Sequence, residues 1–302
     1  MSEAHRGLLF GIVAYLIWGA FPLYFPLMEP AGALEILAHR VLWSFVVMAV
    51  LVVLAGRTAE FRAVLRPQRA TAMLAVAGIT VSLNWSTYIW AVNNGHVVES
   101  SLGYFINPLV SVLMGILVLG ERLRPVQWAA IGVGVLAVAV LAVDYGRPPW
   151  VALVLALTFG TYGLAKKLAG VGAVESLAFE TMLVAPLAVG YLAWLTAQHR
   201  STFATEGLDH ALLLVSLGLV TAVPLTLFGA ATIRIPLVSI GLLQYVAPVL
   251  QFALGVLWFH EPMPPGRWIG FLLVWLALAL LTVEAIRNHR HQLRDTAEAT
   301  AL

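Results

Sequence analysis

The chain alternates long apolar runs with short polar breaks, and the runs are the length of a bilayer. A spanning helix needs about 20 mainly apolar residues. Ten stretches qualify: 8–28, 34–55, 71–93, 101–119, 126–143, 150–168, 175–196, 211–231, 238–259 and 267–287. The two longest connections, 56–70 and 197–210, have no room for a domain. Within lipid a helix satisfies its own backbone groups, so the pattern predicts an all-α integral membrane protein with ten transmembrane helices. The first run is long and lacks a small-residue cleavage site, which reads as a retained span and not a removed signal peptide.

The runs repeat. Sliding the chain by 140 positions places Pro108 on Pro248, Gly115 on Gly255, Glu121 on Glu261, Pro125 on Pro265 and Trp128 on Trp268. Apolar coincidences are cheap in such a sequence, but Pro, Gly, Glu, Pro and Trp in one register are not. The same offset lays Ala33, Glu35, Leu37 and Ala38 on Ala173, Glu175, Leu177 and Ala178, and Leu74 and Gly78 on Leu214 and Gly218. The chain therefore reads as a duplication, with a first five-helix repeat at 1–145 and a second at 146–302. Five is odd, so the copies must enter the membrane from opposite faces. The expected fold is two inverted-topology five-helix repeats, the architecture of many secondary transporters.

Charge sets the expected orientation. Only 11% of residues are charged, against about 25% in soluble domains. Thirteen Lys and Arg fall on the side of the N-terminus, and three, Arg147, Arg200 and Arg267, on the other. The excess marks the cytoplasmic side, so both termini are expected there. There is no cysteine, which excludes disulfides and thiolate-bound metal. The chain shows no phosphate-binding loop, HExxH motif, carboxylate cluster or potassium-filter-like sequence. No enzyme activity, cofactor or metal is expected, and the basic residues read as topology signals, not a nucleic-acid surface.

Polar groups inside spans are costly and should face the bundle interior. In the third span Asn84, Thr87, Tyr88 and Ala91 share a face that Asn94 continues. In the fourth, Ser100, Tyr104, Asn107 and Ser111 form a stripe by their spacing. The second copy offers Gln244 and Gln251, seven apart. Either these are interhelical hydrogen-bond glue or, being related by the repeat, they line a shared central cavity. Trp85, Trp90 and Tyr245 are candidates for stacking on a solute, although Trp90 also suits an interfacial anchor. Tyr15 and Trp18 share a face of the first span with Pro22, as cavity or packing residues. In the second span Glu35, His39 and Trp43 share a face, and Arg40 falls on Glu180 under the 140 offset. These opposite charges suggest an ion pair between the halves or a charged pair along a pathway, and snorkelling competes with both. His39 is either a proton carrier or a structural hydrogen-bonding group. Pro22, Pro26, Pro108, Pro186, Pro224 and Pro248 lie within or near span ends, as fixed bends or as hinges.

The strings ALEILAHRVLWS (33–44), NWSTYIWAVNNGHVVESSLGYFINPL (84–109) and GERL (120–123) resemble the RarD group of EamA-type permeases, in the drug/metabolite transporter superfamily. The likeness covers nearly the whole chain. It implies a permease of the bacterial cytoplasmic membrane, with a cavity lined chiefly by the third, fourth, eighth and ninth spans. The copies differ where Asn107 meets Ala247 and Arg40 meets Glu180, so the cavity is expected to be chemically asymmetric. The expected partners are the lipid bilayer and a small organic solute, with a coupling proton left open, for a monomer or homodimer. A non-transporting partner or sensor subunit is the alternative reading.

Overall fold

The computed structural model of the chain describes residues 2–66, 68–120 and 123–301. Every regular element among them is helical. In order these are α1 (Glu3–Gly19), α2 (Phe21–Tyr24), a 3-10 turn (Phe25–Met28), α3 (Ala33–Leu54), α4 (Thr58–Val64), α5 (Gln68–Asn93) and α6 (Val97–Leu119). There follow α7 (Pro125–Tyr145), α8 (Trp150–Ala169), α9 (Ala173–Ala197), α10 (Leu208–Thr232), α11 (Leu237–Leu243), α12 (Val246–Leu257) and α13 (Pro265–Ala301). Among the described residues nine helices are long and apolar enough to cross a bilayer, Ser239–Leu257 counting as one. The pair Glu3–Gly19 and Phe21–Met28, bent by 45°, makes a tenth. The outer surface is studded with exposed Leu, Val and Ile, such as Leu54, Leu117, Val143 and Leu187. The protein is a multi-pass membrane protein of ten spans, and α13 continues as helix through the polar tail.

Polar residues decide where the helices begin and end. Glu35, Glu99 and Glu175 each occupy the first turn of their helix, where the positive end of the helix dipole favours a carboxylate. Gly120, Gly146 and Gly170 end α6, α7 and α8 with φ of 68°, 64° and 64°, the left-handed turn that glycine makes without strain.

The prolines act differently in the two copies. Pro22 and Pro26 start α2 and the 3-10 turn, and the first span bends there. Pro248 lacks the N–H that would reach the carbonyl of Gln244, and the helix breaks at Gln244 and Tyr245, between α11 and α12. Its repeat mate Pro108 sits inside an unbroken α6. Pro186 and Pro224 are likewise enclosed in continuous helices.

Helix packing carries the mark of the duplication. Three of the five helix pairs related by the repeat touch each other: α3 against α9, α6 against α12, and α7 against α13. The other extensive contacts come as mirrored pairs. Helix α5 packs on α8 as α10 packs on α1; α6 packs on α8 as α12 packs on α1; α10 packs on α3 as α9 packs on α5. Exchanging the copies carries these contacts into one another, as two inverted five-helix repeats about a pseudo-twofold axis require. The largest apolar cluster joins both copies around Phe25, Met28, Tyr88, Leu155 and Leu214.

Candidate functional site

The second span brings a full charge into the interior. Arg40 lies seven residues after the start of α3, about 10 Å down the helix axis, and is only 4% exposed. Its Nε donates to Thr221 Oγ1 of α10 at 3.1 Å. Aromatic rings cover the guanidinium: Trp85 at 4.1 Å from the ring centre, Phe21 at 5.3 Å and Phe25 at 5.8 Å. Such rings attract a cation through their negative faces. The bent first span supplies two of the three.

The polar face of the third span meets this centre. Asn84 is buried, donating to the Leu155 carbonyl and to Thr158 Oγ1, both at 3.0 Å, and accepting from the Tyr104 hydroxyl at 3.1 Å. Tyr104 packs edge-on to Tyr88 at 5.6 Å, and Tyr88 to Phe25 at 6.0 Å. The Tyr88 hydroxyl is buried without a hydrogen-bond partner. Asn107, farther along α6, is half-buried beside Gly160 of α8, its Oδ1 also unpartnered. Ser111 is exposed.

The second copy's amides separate. Gln251 is buried and donates from Nε2 to the Trp18 carbonyl at 3.1 Å, leaving its Oε1 unpartnered. Trp18 and Tyr15 stack edge-on at 5.2 Å and both touch Phe228 of α10. Gln244 sits half-buried at the helix break, and Tyr245 turns toward Thr282 of α13, at 3.5 Å. Arg40, Trp85, Tyr88, Tyr104 and Asn84 thus gather in one place; Tyr15, Trp18 and Gln251 gather in another; Ser111, Gln244 and Tyr245 join neither.

Arg40 and Glu180 do not pair. Glu180 is buried and forms an ion pair with Lys166 of α8 at 3.2 Å. Lys166 in turn donates to the Tyr162 hydroxyl at 3.0 Å. The inversion itself explains the absence of an Arg40–Glu180 bond. Each residue lies seven positions into its helix, but the helices start from opposite faces. Over the 22 residues of α3 the two charges stand about 12 Å apart in depth, far beyond an ion pair. Glu35 and Glu175 are the matching pair of clamps. Glu35 accepts from the Thr202 amide at 2.8 Å and Ser201 Oγ at 3.2 Å. Glu175 meets Arg57 Nε at 2.8 Å. Each thereby ties the start of one helix to the connection that follows its repeat mate.

Above Arg40 the connection 198–207 folds over the end of the bundle. Phe203 stacks on His39 at 4.8 Å, and Thr202 bonds His210 at 2.8 Å. His39 Nδ1 accepts from Trp43 Nε1 at 3.3 Å, and its Nε2 is buried without a partner. At the same end Glu261 accepts from the Val98 amide at 2.9 Å and from that of Val97, capping α6. Its counterpart Glu121 lies outside the described residues. Phe21, Phe25, Thr221, Lys166 and Phe203 were not legible as site residues. Pro22 and Pro26 were the available signal for the first two, since a broken span frees side chains to turn inward.

A void of about 270 Å³ lies elsewhere, between α6, α7 and α8, lined by Ile106, Leu109, Val110, Ile131, Val135 and Leu157. It contains no group to orient a polar solute. The polar interior around Arg40 is the better candidate.

The model of the EamA-like transporter family matches residues 5–143 and again 148–283. The chain is 56% identical over 300 residues to Protein RarD of Streptomyces exfoliatus, covering 99% of this chain and 95% of that protein. It is 38% identical to Protein RarD of Escherichia coli, over 96% of this chain and 98% of that one. It is 34% identical to the Chloramphenicol-sensitive protein RarD of Pseudomonas aeruginosa, over 97% and 99%. A protein of known crystal structure superposes with a TM-score of 0.59 at 21% identity, covering 93% of this chain and 98% of the other, a likeness of fold alone. The family match spans both copies and the RarD relatives run nearly end to end, so this ten-span chain belongs to the EamA-like transporter family.

Proposed function

We propose that this membrane transporter is a secondary-active permease moving a small organic metabolite or drug by alternating access. Its halves, 1–145 and 146–302, rock against each other around the interior that holds Arg40, Asn84, Tyr88 and Tyr104. The observation that carries the reading is Arg40 itself. A fixed charge buried inside an apolar bundle is expensive and marks a solute path when it is not part of a structural ion pair. The matching clamps Glu35–Thr202 and Glu175–Arg57 supply closures at both ends, as alternating access needs. Tyr15, Trp18 and Gln251 are assigned to the wall between α1, α10 and α12. Both termini are placed in the cytoplasm by the distribution of Lys and Arg. The name of the Pseudomonas relative concerns sensitivity to chloramphenicol, so that compound belongs in any solute panel without being taken as the cargo.

The test is uptake by the purified protein in liposomes, with and without a pH gradient, across a panel of neutral, anionic and cationic organic solutes. Movement of at least one solute above protein-free liposomes is expected. Failure with the whole panel under both conditions contradicts transport as the function of this chain.

A further inference from the structure

The buried charges of this protein are treated unequally. Glu99 faces Arg147 at 2.8 Å, Glu175 faces Arg57 at 2.8 Å, and Glu180 faces Lys166 at 3.2 Å. Glu35 has no cation among the described residues but takes the Thr202 amide and the Ser201 hydroxyl. Arg40 is as deeply buried as these, and no carboxylate of a described residue pairs with it. Its one hydrogen bond uses Nε. The rings of Trp85, Phe21 and Phe25 lie over the guanidinium, but ring faces accept only the charge. The N–H bonds of a guanidinium lie in its own plane and call for oxygen acceptors along its edge. The two Nη atoms, free of any bond to a described residue, form the fork that matches the two oxygens of a carboxylate. Tyr88 reaches the same place through Phe25, packing edge-on to it at 6.0 Å while the Arg40 guanidinium lies 5.8 Å from that ring's centre. Tyr88 is 2% exposed and its hydroxyl has no partner, so a second buried polar group here also lacks a mate.

We infer that Arg40 and Tyr88 form a carboxylate-binding subsite, and that the solute carried is an aromatic monocarboxylate. Both Nη atoms donate to the carboxylate oxygens, and the Tyr88 hydroxyl donates a third bond. The ring of the solute packs among Trp85, Phe21 and Phe25. The anion supplies the counter-charge that the chain withholds from Arg40. The buried Glu35, Glu99, Glu175 and Glu180 are already engaged by other groups, so the site makes no demand for an amine on the solute. Phe21 and Phe25 follow the 45° bend of the first span, and movement about that bend uncovers the guanidinium edge. This inference rests on the transporter reading above and narrows its cargo.

The test uses matched probes: phenylacetate and indole-3-acetate, their neutral amides phenylacetamide and indole-3-acetamide, and the cation tryptamine. Binding is read as a concentration-dependent rise in melting temperature of the detergent-solubilised protein, and flux as uptake into proteoliposomes. The acids are expected to stabilise and to be taken up, the amides and tryptamine to do neither. Arg40→Gln is expected to abolish both, and Arg40→Lys to retain part of the binding because it keeps the charge without the fork. Tyr88→Phe removes an unpartnered hydroxyl and is expected to fold normally, weakening acid binding by about tenfold. Equal uptake of acids and amides, or full acid binding by both Arg40→Gln and Tyr88→Phe, overturns the subsite while leaving transport standing. Acid-specific stabilisation lost in Arg40→Gln, without uptake of any probe, supports the subsite and counts against transport. No stabilisation and no uptake by any acid overturns the inference.

Discussion

At the scale of single residues, the chain separates charges that hold the fold together from one that does not. Glu180 and Lys166 form an ion pair across α9 and α8, whereas Arg40 is held by a threonine and three rings. Replacing either member of a buried ion pair strands its partner, typically at about 3–5 kcal/mol. Glu180→Ala is therefore predicted to lose both transport and melting temperature. Arg40→Ala strands no carboxylate and is predicted to lose transport, at least tenfold, with little fall in melting temperature. Arg62→Ala, on the exposed face of α4, is predicted to change neither. Uptake and melting curves on the three variants check this together, and equal activity in all three removes Arg40 and Glu180 from the mechanism. Arg40 was legible because a charge in an apolar run stands out. Its surroundings were not, because Thr221 is 181 positions away and the spacing rules speak only within one helix. An ion pair with Glu180, one of the readings the 140 offset left open, does not form because an inverted repeat sends equivalent residues to opposite depths.

At the scale of the helix, close approach and capping make the strongest demands. Gly218 of α10 and Gly78 of α5 are repeat mates, each laid against a helix of the second-span type. A methyl group at Gly218 would come within 2.5 Å of the Trp43 carbonyl oxygen, and one at Gly78 within 3.3 Å of that of Glu180. Gly218→Ala is predicted to destabilise by about 1–3 kcal/mol through overpacking. Gly132→Ala, with open space at its Cβ position, is predicted to be neutral or slightly stabilising. Melting temperatures in one detergent compare them, and equal values would show that α10 and α3 are not in such close contact. Glu261 carries a different demand. Burial raises its carboxyl above the ordinary carboxylate value, against the capping amides of Val98 and Val97 and the charge of Arg267. An acid with a raised pKa resists ionising in the folded state, so its contribution to stability is present at low pH and falls as pH rises through that pKa. Measured against Glu261→Gln, wild type is predicted to lose melting temperature as pH rises from the ordinary value of 4.5. A wild type that gains on the variant would mean that the cap outweighs burial. The number and length of the spans were legible because the bilayer sets both. The contrast between a continuous helix at Pro108 and a broken one at Pro248 was not, because a proline removes one bond and the neighbours decide whether the helix survives it.

At the scale of the molecule, the duplication turns one set of contacts into two ends of a machine. The Glu35 clamp draws the connection 198–207 down over α3, with Phe203 against His39. The Glu175 clamp draws the connection after α3 onto α9. In the proposed cycle one clamp opens while the other holds, and the interior beside Arg40 meets each aqueous phase in turn. The repeat was visible in the sequence because Pro, Gly, Glu and Trp kept their register. The interlocking of the copies was not, since it depends on which apolar faces fit. The chain has no cysteine, so a single Thr221→Cys substitution places a lone thiol beside Arg40. The most direct measurement is the rate at which a membrane-impermeant thiol reagent labels it from each face of oriented vesicles. It is repeated with Glu35→Cys and Thr202→Cys added and joined by a short bifunctional thiol reagent. Alternating access predicts labelling from both faces at first, and labelling only from the face bearing the termini once that clamp is locked. Labelling from neither face, or a pattern that the lock leaves unchanged, would contradict it.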